Sequence, residues 1–344
     1  MIKKALCCLG FLGAIHATLA ADLPPFSSGP PPGARVVVVE DSRATVAFEP
    51  QMPVVMEMVD HGIERLSGKS DVKSAWRTFV SSNDVIGIKV YSGPGPNSGT
   101  RPAVVEAVVR GLLEAEIPAS NIIVWDRRLI DVRADFSRLA DVYKIRLAGS
   151  ADAGYDEKVF YDFATPGTLI AGDLEFDENR TTAGRKSYVS KLLTQSITRI
   201  INISPLLNHN MAGVCGNLYS LAMGSVDNTI RFKFSPDRLA TAVPEIYAMT
   251  NLSDHVALSI TDALIGQYQG EEMSLLHYST QLNQIWFSKD PVALDVLAIQ
   301  ELDRERMAAR VVPTFDNPQL YQNAAFYLQL GVADVQRIRL DVVR

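Results

Sequence analysis

The stretch R-I-I-N-I-S-P-L-L-N-H-N-M-A-G-V-C-G-N-L-Y-S-L-A-M-G-S, from Arg199 to Ser225, decides how the chain is read. A β-branched apolar run from Arg199 to Ser204 stops at Pro205. A polar loop with Asn208, His209 and Asn210 then leads through Gly213 and Gly216 into a helix. That is a strand, a loop and a helix with the chemistry in the loop. In an open parallel sheet the loops after the carboxyl ends of strands form the ligand crevice, so this loop is the first place to look for function.

Working outward, the same pattern recurs. Val36–Glu40, Asp84–Tyr91, Asn121–Asp126, Val256–Ile260 and Gln284–Ser288 are apolar runs of strand length. Between them fall helical patterns over Pro53–Leu66, from Asp71 to about Val80, Arg101 to about Glu116, Pro236–Met249 and Asp290 to about Glu301. Asp71, Thr100, Ser235 and Asp290 stand as N-caps, and Pro102 and Pro291 fall in first turns. Strands alternating with helices predict an α/β fold, a doubly wound and mostly parallel sheet with helices on both faces. From Phe136 to Thr182 the signals weaken, and an irregular excursion of small strands and loops is expected there. The end of the chain reads as an aromatic helix, Leu320–Leu330, and an edge segment, Val335–Val343.

Residues 1–20 have the features of an export signal. Lys3 and Lys4 give the positive start, Ala5–Ile15 the apolar segment, and Thr18-Leu19-Ala20 a small-residue cleavage site. The apolar segment is too short for a stable membrane span. The expected organisation is therefore a signal at 1–20, a Pro/Gly/Ser-rich linker at 21–34 and one domain at 35–344, in a periplasmic or secreted protein. Removing two of the 33 basic residues leaves 31 against 39 acidic ones, a charge of −8, which argues against general nucleic-acid binding. Cys7 and Cys8 fall in the signal, so Cys215 is alone after cleavage. One thiol can build neither an internal disulfide nor a cysteine-ligated iron–sulfur cluster.

If the sheet is doubly wound, several strand ends converge. They bring Lys89, the Gly93–Thr100 turn, Asp126, the His209–Asn217 loop, and Asp262 with Asp290. Lys89 interrupts an apolar run and needs a partner or an exit to solvent. Gly93, Gly95 and Gly99 miss the dinucleotide spacing, and Pro94 and Pro96 remove amides, so the turn is either a shaped turn or an anion site. Asp126-Arg127-Arg128, at the carboxyl end of its strand, reads first as an ion pair on the sheet rim and second as a ligand contact. Asp290 is explained by capping, while Asp295, an acid inside an apolar helix, calls for a partner. His209 is a candidate general base or, with Cys215, a ligand for a divalent metal. The competing reading makes Asn208-His209-Asn210 a turn whose side chains satisfy the backbone.

Six segments together resemble the domain-of-unknown-function 362 family. They are G-I-K-V at Gly87–Val90, T-R-P-A-V-V-E-A-V-V-R-G-L-L-E-A at Thr100–Ala115 and N-I-I-V-W-D-R at Asn121–Arg127. The others are N-I-S-P-L-L-N-H-N-M-A-G-V-C-G-N-L at Asn202–Leu218, T-D-A-L-I-G at Thr261–Gly266 and S-K-D-P-V-A-L-D at Ser288–Asp295. The resemblance implies an α/β fold. Some relatives carry cysteine-rich ferredoxin-like segments and the redox chemistry they imply; this chain carries none. It also has Leu207-Asn208 before His209, where relatives often place a lysine.

Two functions follow as expectations. One is an exported enzyme with His209 as base or metal ligand, and with Lys89 and Asp262 orienting an anionic small molecule among Asn202, Asn208, Asn217, Thr100, Arg101, Asp126, Asp290 and Asp295. The other is a non-catalytic periplasmic binding protein for a small anion or metabolite. A structural partner protein ranks last.

Overall fold

The computed structural model describes residues 33–179 and 181–344. The expected signal and the linker as far as Pro32 lie outside the described residues, and β1 (Ala34–Glu40) opens the domain. A two-residue hairpin, β2 (Thr45–Val46) and β3 (Glu49–Pro50), leads to α1 (Met52–Ser67) and α2 (Val72–Trp76). Gly68 ends α1 at φ 73°, a left-handed position that suits glycine. Asp71 caps α2 by accepting from the Ser74 amide.

The sheet is built from β4 (Ile86–Lys89), β5 (Ile122–Asp126), β6 (Arg146–Gly149), β9 (Arg199–His209), β11 (Val256–Gln267), β12 (Ser279–Ser288) and β13 (Ile338–Val343) together with β1. Its order is β13-β1-β12-β11-β9-β4-β5-β6, with β10 (Gly213–Val214) paired back on β9. Along this order all neighbours are parallel except β12, which runs against β1 and β11; β10 is also antiparallel to β9. Sequential strands step outward from β4 to β5 and β6, and the later β9 and β11 return on the other side. The order reverses between β4 and β9, and there the connections leave on opposite sides and open a crevice.

Alternation along the strands divides the core in two. Ile86, Ile88, Val124, Ile201, Ile203 and Ile260 pack under α1, α2, α3 (Pro102–Glu114) and α4 (Leu129–Tyr143). Ile123, Trp125 and Ile200 face α7 (Asn217–Ser225), α9 (Pro236–Tyr247), α11 (Pro291–Ala309) and α12 (Pro318–Gln322). The doubly wound α/β architecture is as expected from the sequence.

The expected excursion is only partly irregular. Residues 136–143 finish α4, whose buried face is just Val132, Phe136 and Leu139, one residue per turn, and so gives a faint apolar signal. After β6 and the short α5 (Ser150–Ala153) comes a two-stranded ribbon, β7 (Tyr155–Thr168) with β8 (Ala183–Ser190), flanking α6 (Leu174–Asn179). The ribbon continues beyond the expected excursion, to Ser190, and its β7 strand packs on α8 (Ile230–Lys233). The short α10 (Thr250–Ser253) precedes β11. The C-terminal aromatic helix is shorter than expected and passes into a wider turn over Asn323–Tyr327.

At the β13 edge, Asp341 accepts hydrogen bonds from Arg35 at 2.5 Å and from Arg65 at 2.8 Å. These bonds hold its carboxyl down at about 2, against about 3.9 for an unfolded aspartate. Because the folded value is the lower one, the stabilisation is complete above about pH 4 and disappears as the pH falls towards 2. Asp341→Asn is expected to lower the urea midpoint at pH 7, with the two proteins converging near pH 2.

Candidate functional site

Lys89 is the last residue of β4, and its side chain is wholly buried on the face that meets α7. Its ammonium uses all three protons, on Asp126 Oδ1 at 2.9 Å, Ser220 Oγ at 3.0 Å and the Val90 carbonyl at 2.6 Å. Burial lowers its pKa and Asp126 opposes that shift. The second Asp126 oxygen accepts from the Ser92 amide at 2.8 Å and the Ser92 hydroxyl at 2.9 Å. A Cβ on Gly224 would stand 2.4 Å from Lys89 Cε, so α7 needs glycine there to approach the lysine. The partner that the sequence demanded for Lys89 is thus Asp126.

Asp262 does not join them. It lies on β11 among residues that face α1 and α3, the opposite side of the sheet from Lys89, and is fully buried. It accepts from the Arg101 amide at 2.9 Å and the Arg101 guanidinium at 3.1 Å. Arg101 is itself the N-cap of α3, one residue after the expected Thr100, so Asp262 fills the anion position at that helix start. Thr100 instead bridges strands, donating to the Ile203 carbonyl at 2.8 Å and accepting from Tyr91 N at 2.9 Å. The amides of Gly95, Gly99 and Thr100 donate to the carbonyls of Ser92, Gly95 and Tyr91, which makes the Gly93–Thr100 stretch a shaped turn rather than an anion cradle.

A second aspartate fills the start of α7. Asp295, buried on α11, accepts from Asn217 N at 2.6 Å and Leu218 N at 2.9 Å, and Asn217 links it to Asn202 and Thr261. Burial is the largest influence on Asp295 and raises its carboxyl to about 7, against the pull of those amides. A Cβ on Gly216 would be 2.2 Å from Asp295 Oδ1. Asp290 lies elsewhere. Since β12 is antiparallel, its end at Ser288 sits beside Ser259 near the start of β11, at the other edge of the sheet. Asp290 caps α11 through Ala293 N at 2.8 Å and also holds Val332 N at 2.9 Å.

The strand β9 runs on through Pro205 to His209 and closes a tight hairpin with β10, Gly213 opposite His209. Proline is tolerated where the ladder breaks, and the β9–β11 register does shift just after Pro205. His209 Nδ1 accepts the amides of Met211 and Ala212, both at 3.1 Å, so the ring pins the turn and keeps its proton on Nε2. Burial lowers its pKa to about 4, leaving it neutral at physiological pH. This tautomer has no free lone pair for a general base. Asn208 serves the same turn, donating to Asn210 and accepting from Glu271 N. Cys215 is buried, with its thiol pushed up by burial and donating to the Asn208 carbonyl at 3.6 Å. Among the described residues no group of three or more His, Cys, Asp or Glu is placed to hold a metal, so the expected His209–Cys215 metal pair finds no third ligand.

The open space lies beside Lys89. A crevice of about 440 Å³ is lined by Tyr91 and Gly93 after β4, Asp126 to Arg128 after β5, Tyr219 to Gly224 of α7, and Thr229 to Phe234 around α8, with Ile170 and Glu272 closing it. Arg128 is paired with Asp131 and Lys233 loosely with Glu272 at 3.7 Å. Arg127 hydrogen-bonds Thr229 and has no carboxylate within ion-pair distance among the described residues. Tyr219, only 3% exposed, packs its ring tilted against His209 at 4.3 Å between centroids, and its hydroxyl has no hydrogen-bond partner among the described residues. Tyr91 donates to Glu272. Of these lining residues, Asp126, Arg127 and Arg128 are legible in the sequence as a strand-end cluster, while Tyr219, Lys233 and Glu272 are not. The available signal was the pair of small residues Ser220 and Gly224 at i, i+4, which marks close approach of a helix to its sheet.

Fold and site together define a doubly wound α/β protein with a small-molecule-sized crevice at the switch point of its sheet. Residues 86–300 match the family described as a domain of unknown function (DUF362), and the chain belongs to that family. No curated protein matches the sequence. Among solved structures, the crystal structure of a Thermotoga maritima protein, a Northeast Structural Genomics Consortium target, is 11% identical with a TM-score of 0.41. The match covers 76% of this chain and 60% of that one.

The buried pair supplies a test. Removing one partner of such a pair costs about 3–5 kcal/mol because a charge is left buried alone. Lys89→Met is expected to lose that much in urea unfolding, and adding Asp126→Asn to recover part of it.

Proposed function

We propose that this protein is exported and binds a small anionic molecule in the crevice beside Lys89. The observation that carries this reading is Arg127, a half-buried guanidinium on the crevice wall that hydrogen-bonds the Thr229 hydroxyl and has no carboxylate in direct ion-pair contact among the described residues. A cation held in a cleft with no carboxylate in direct contact attracts an anion. The helix starts that hold anions in many α/β proteins are filled here by Asp262 and Asp295, so recognition falls to side chains. Ile170, Met223, Ile230 and Phe234 give the same crevice an apolar wall, which suits a ligand with an apolar body. Phenyl phosphate is a suitable probe: it is expected to raise the melting temperature saturably, benzyl alcohol to leave it unchanged, and Arg127→Ala to abolish the effect. An equal response to both compounds defeats the reading.

A second reading, catalysis, draws on the Tyr91–Glu272 hydrogen bond in the wall. Burial keeps the Tyr91 hydroxyl well above its ordinary range and therefore protonated, so it offers a proton donor beside a carboxylate. Recovery of a chemically altered ligand distinguishes the two readings. Export rests on Lys3, Lys4, the apolar Ala5–Ile15 and the cleavage-like Thr18-Leu19-Ala20. N-terminal sequencing of protein recovered from the periplasm of a bacterial host is expected to begin at Ala21.

A further inference from the structure

Behind the crevice wall, Lys89 is neutralised by Asp126 in a saturated, buried arrangement, and Arg128, the N-cap of α4, is matched by Asp131 in its first turn. Lys233 differs. Its partner Glu272 comes from the connection between β11 and β12, stands 3.7 Å away, and is 44% exposed along its side chain. The backbone beneath Glu272 is firmly held. Glu271 N donates to Asn208 Oδ1 at 3.0 Å, Gln267 donates to the Glu271 carbonyl at 2.9 Å, and Ser274 Oγ donates to the Pro94 carbonyl at 2.5 Å. The Glu272 side chain can therefore rotate into solvent without the loop moving, giving up one hydrogen bond and one loose ion pair.

What it leaves behind is a set of donors. Lys233 and Thr229 are one turn apart, Thr229 is bonded to Arg127, and Tyr91 and Tyr219 line the same space with hydroxyls that burial keeps protonated. Phe234, 70% exposed, and Ile170, 42% exposed, stand at the mouth. Resting on the proposed anion-binding reading, we infer that Glu272 is a placeholder carboxylate. The ligand is an amphiphilic anion whose carboxylate or phosphate takes the place of Glu272 among Arg127, Lys233, Tyr91 and Tyr219, with its apolar part lying outward along Ile230, Ile170 and Phe234. Glu272 then sets selectivity, since only a ligand that brings its own negative charge compensates Lys233 when Glu272 leaves.

The test is calorimetric titration of the full mature chain with phenyl phosphate and, as an anion without a body, inorganic phosphate. Glu272→Gln keeps the acceptor for Tyr91 and removes the charge that competes with the ligand, so it is expected to tighten phenyl phosphate binding by about tenfold. Glu272→Ala is expected to do the same, which guards against the glutamine holding the position by its hydrogen bond. Phe234→Ser is expected to weaken phenyl phosphate and leave inorganic phosphate unchanged. If the wild type binds phenyl phosphate through Arg127 but both Glu272 variants bind it equally or more weakly, the placeholder role is wrong while the anion site stands. If neither the wild type nor the Glu272 variants bind it, the anion reading and this inference fall together.

Discussion

A lysine buried at the end of a central strand constrains everything around it. An ammonium out of water is tolerated only with a counter-charge and its remaining protons bonded, and Lys89 finds these in Asp126, Ser220 and the Val90 carbonyl. Asp126 must then sit at the end of β5, Ser92 must turn back to hold it, and α7 must come close enough to offer Ser220, which only Gly224 permits. The crevice is the space beside this cluster, and its walls are the segments that the cluster fixes.

Three aspartates repeat one device at different places. Asp262 at α3, Asp295 at α7 and Asp290 at α11 each accept backbone amides at a helix start, two of them from a different element. A carboxylate there satisfies orphan amides and the helix dipole together. The consequence is functional as well as structural. Helix starts already filled by the protein's own acids are closed to a ligand's anion, and binding shifts to the guanidinium and ammonium groups along Arg127 and Lys233. His209, the residue that stands out in the sequence, spends its acceptor nitrogen on two amides of its own hairpin.

Local signals alone carried much of the fold. Apolar runs of strand length, prolines in first turns and the caps Asp71, Ser235 and Asp290 all reappear in the structure, because each depends on neighbours within a few residues. The doubly wound arrangement and the need of Lys89 for a partner were equally legible. The reversed direction of β12 was not, since an apolar run reads the same in either sense, and it moved Asp290 to the far edge of the sheet. The side of the sheet on which a strand residue falls likewise depends on register, and register separated Asp262 from Lys89.

The sequence by itself therefore determined the class of fold, the family segments and the set of polar residues that must be accounted for. Only the tertiary structure decided which of them meet. A buried charge or helix start binds whatever group the packing brings within about 3 Å, and that group stands 37 residues away for Lys89 and 161 for Arg101. No pattern of nearby residues encodes such a distance, so the crevice and its open guanidinium become visible only when the chain is folded.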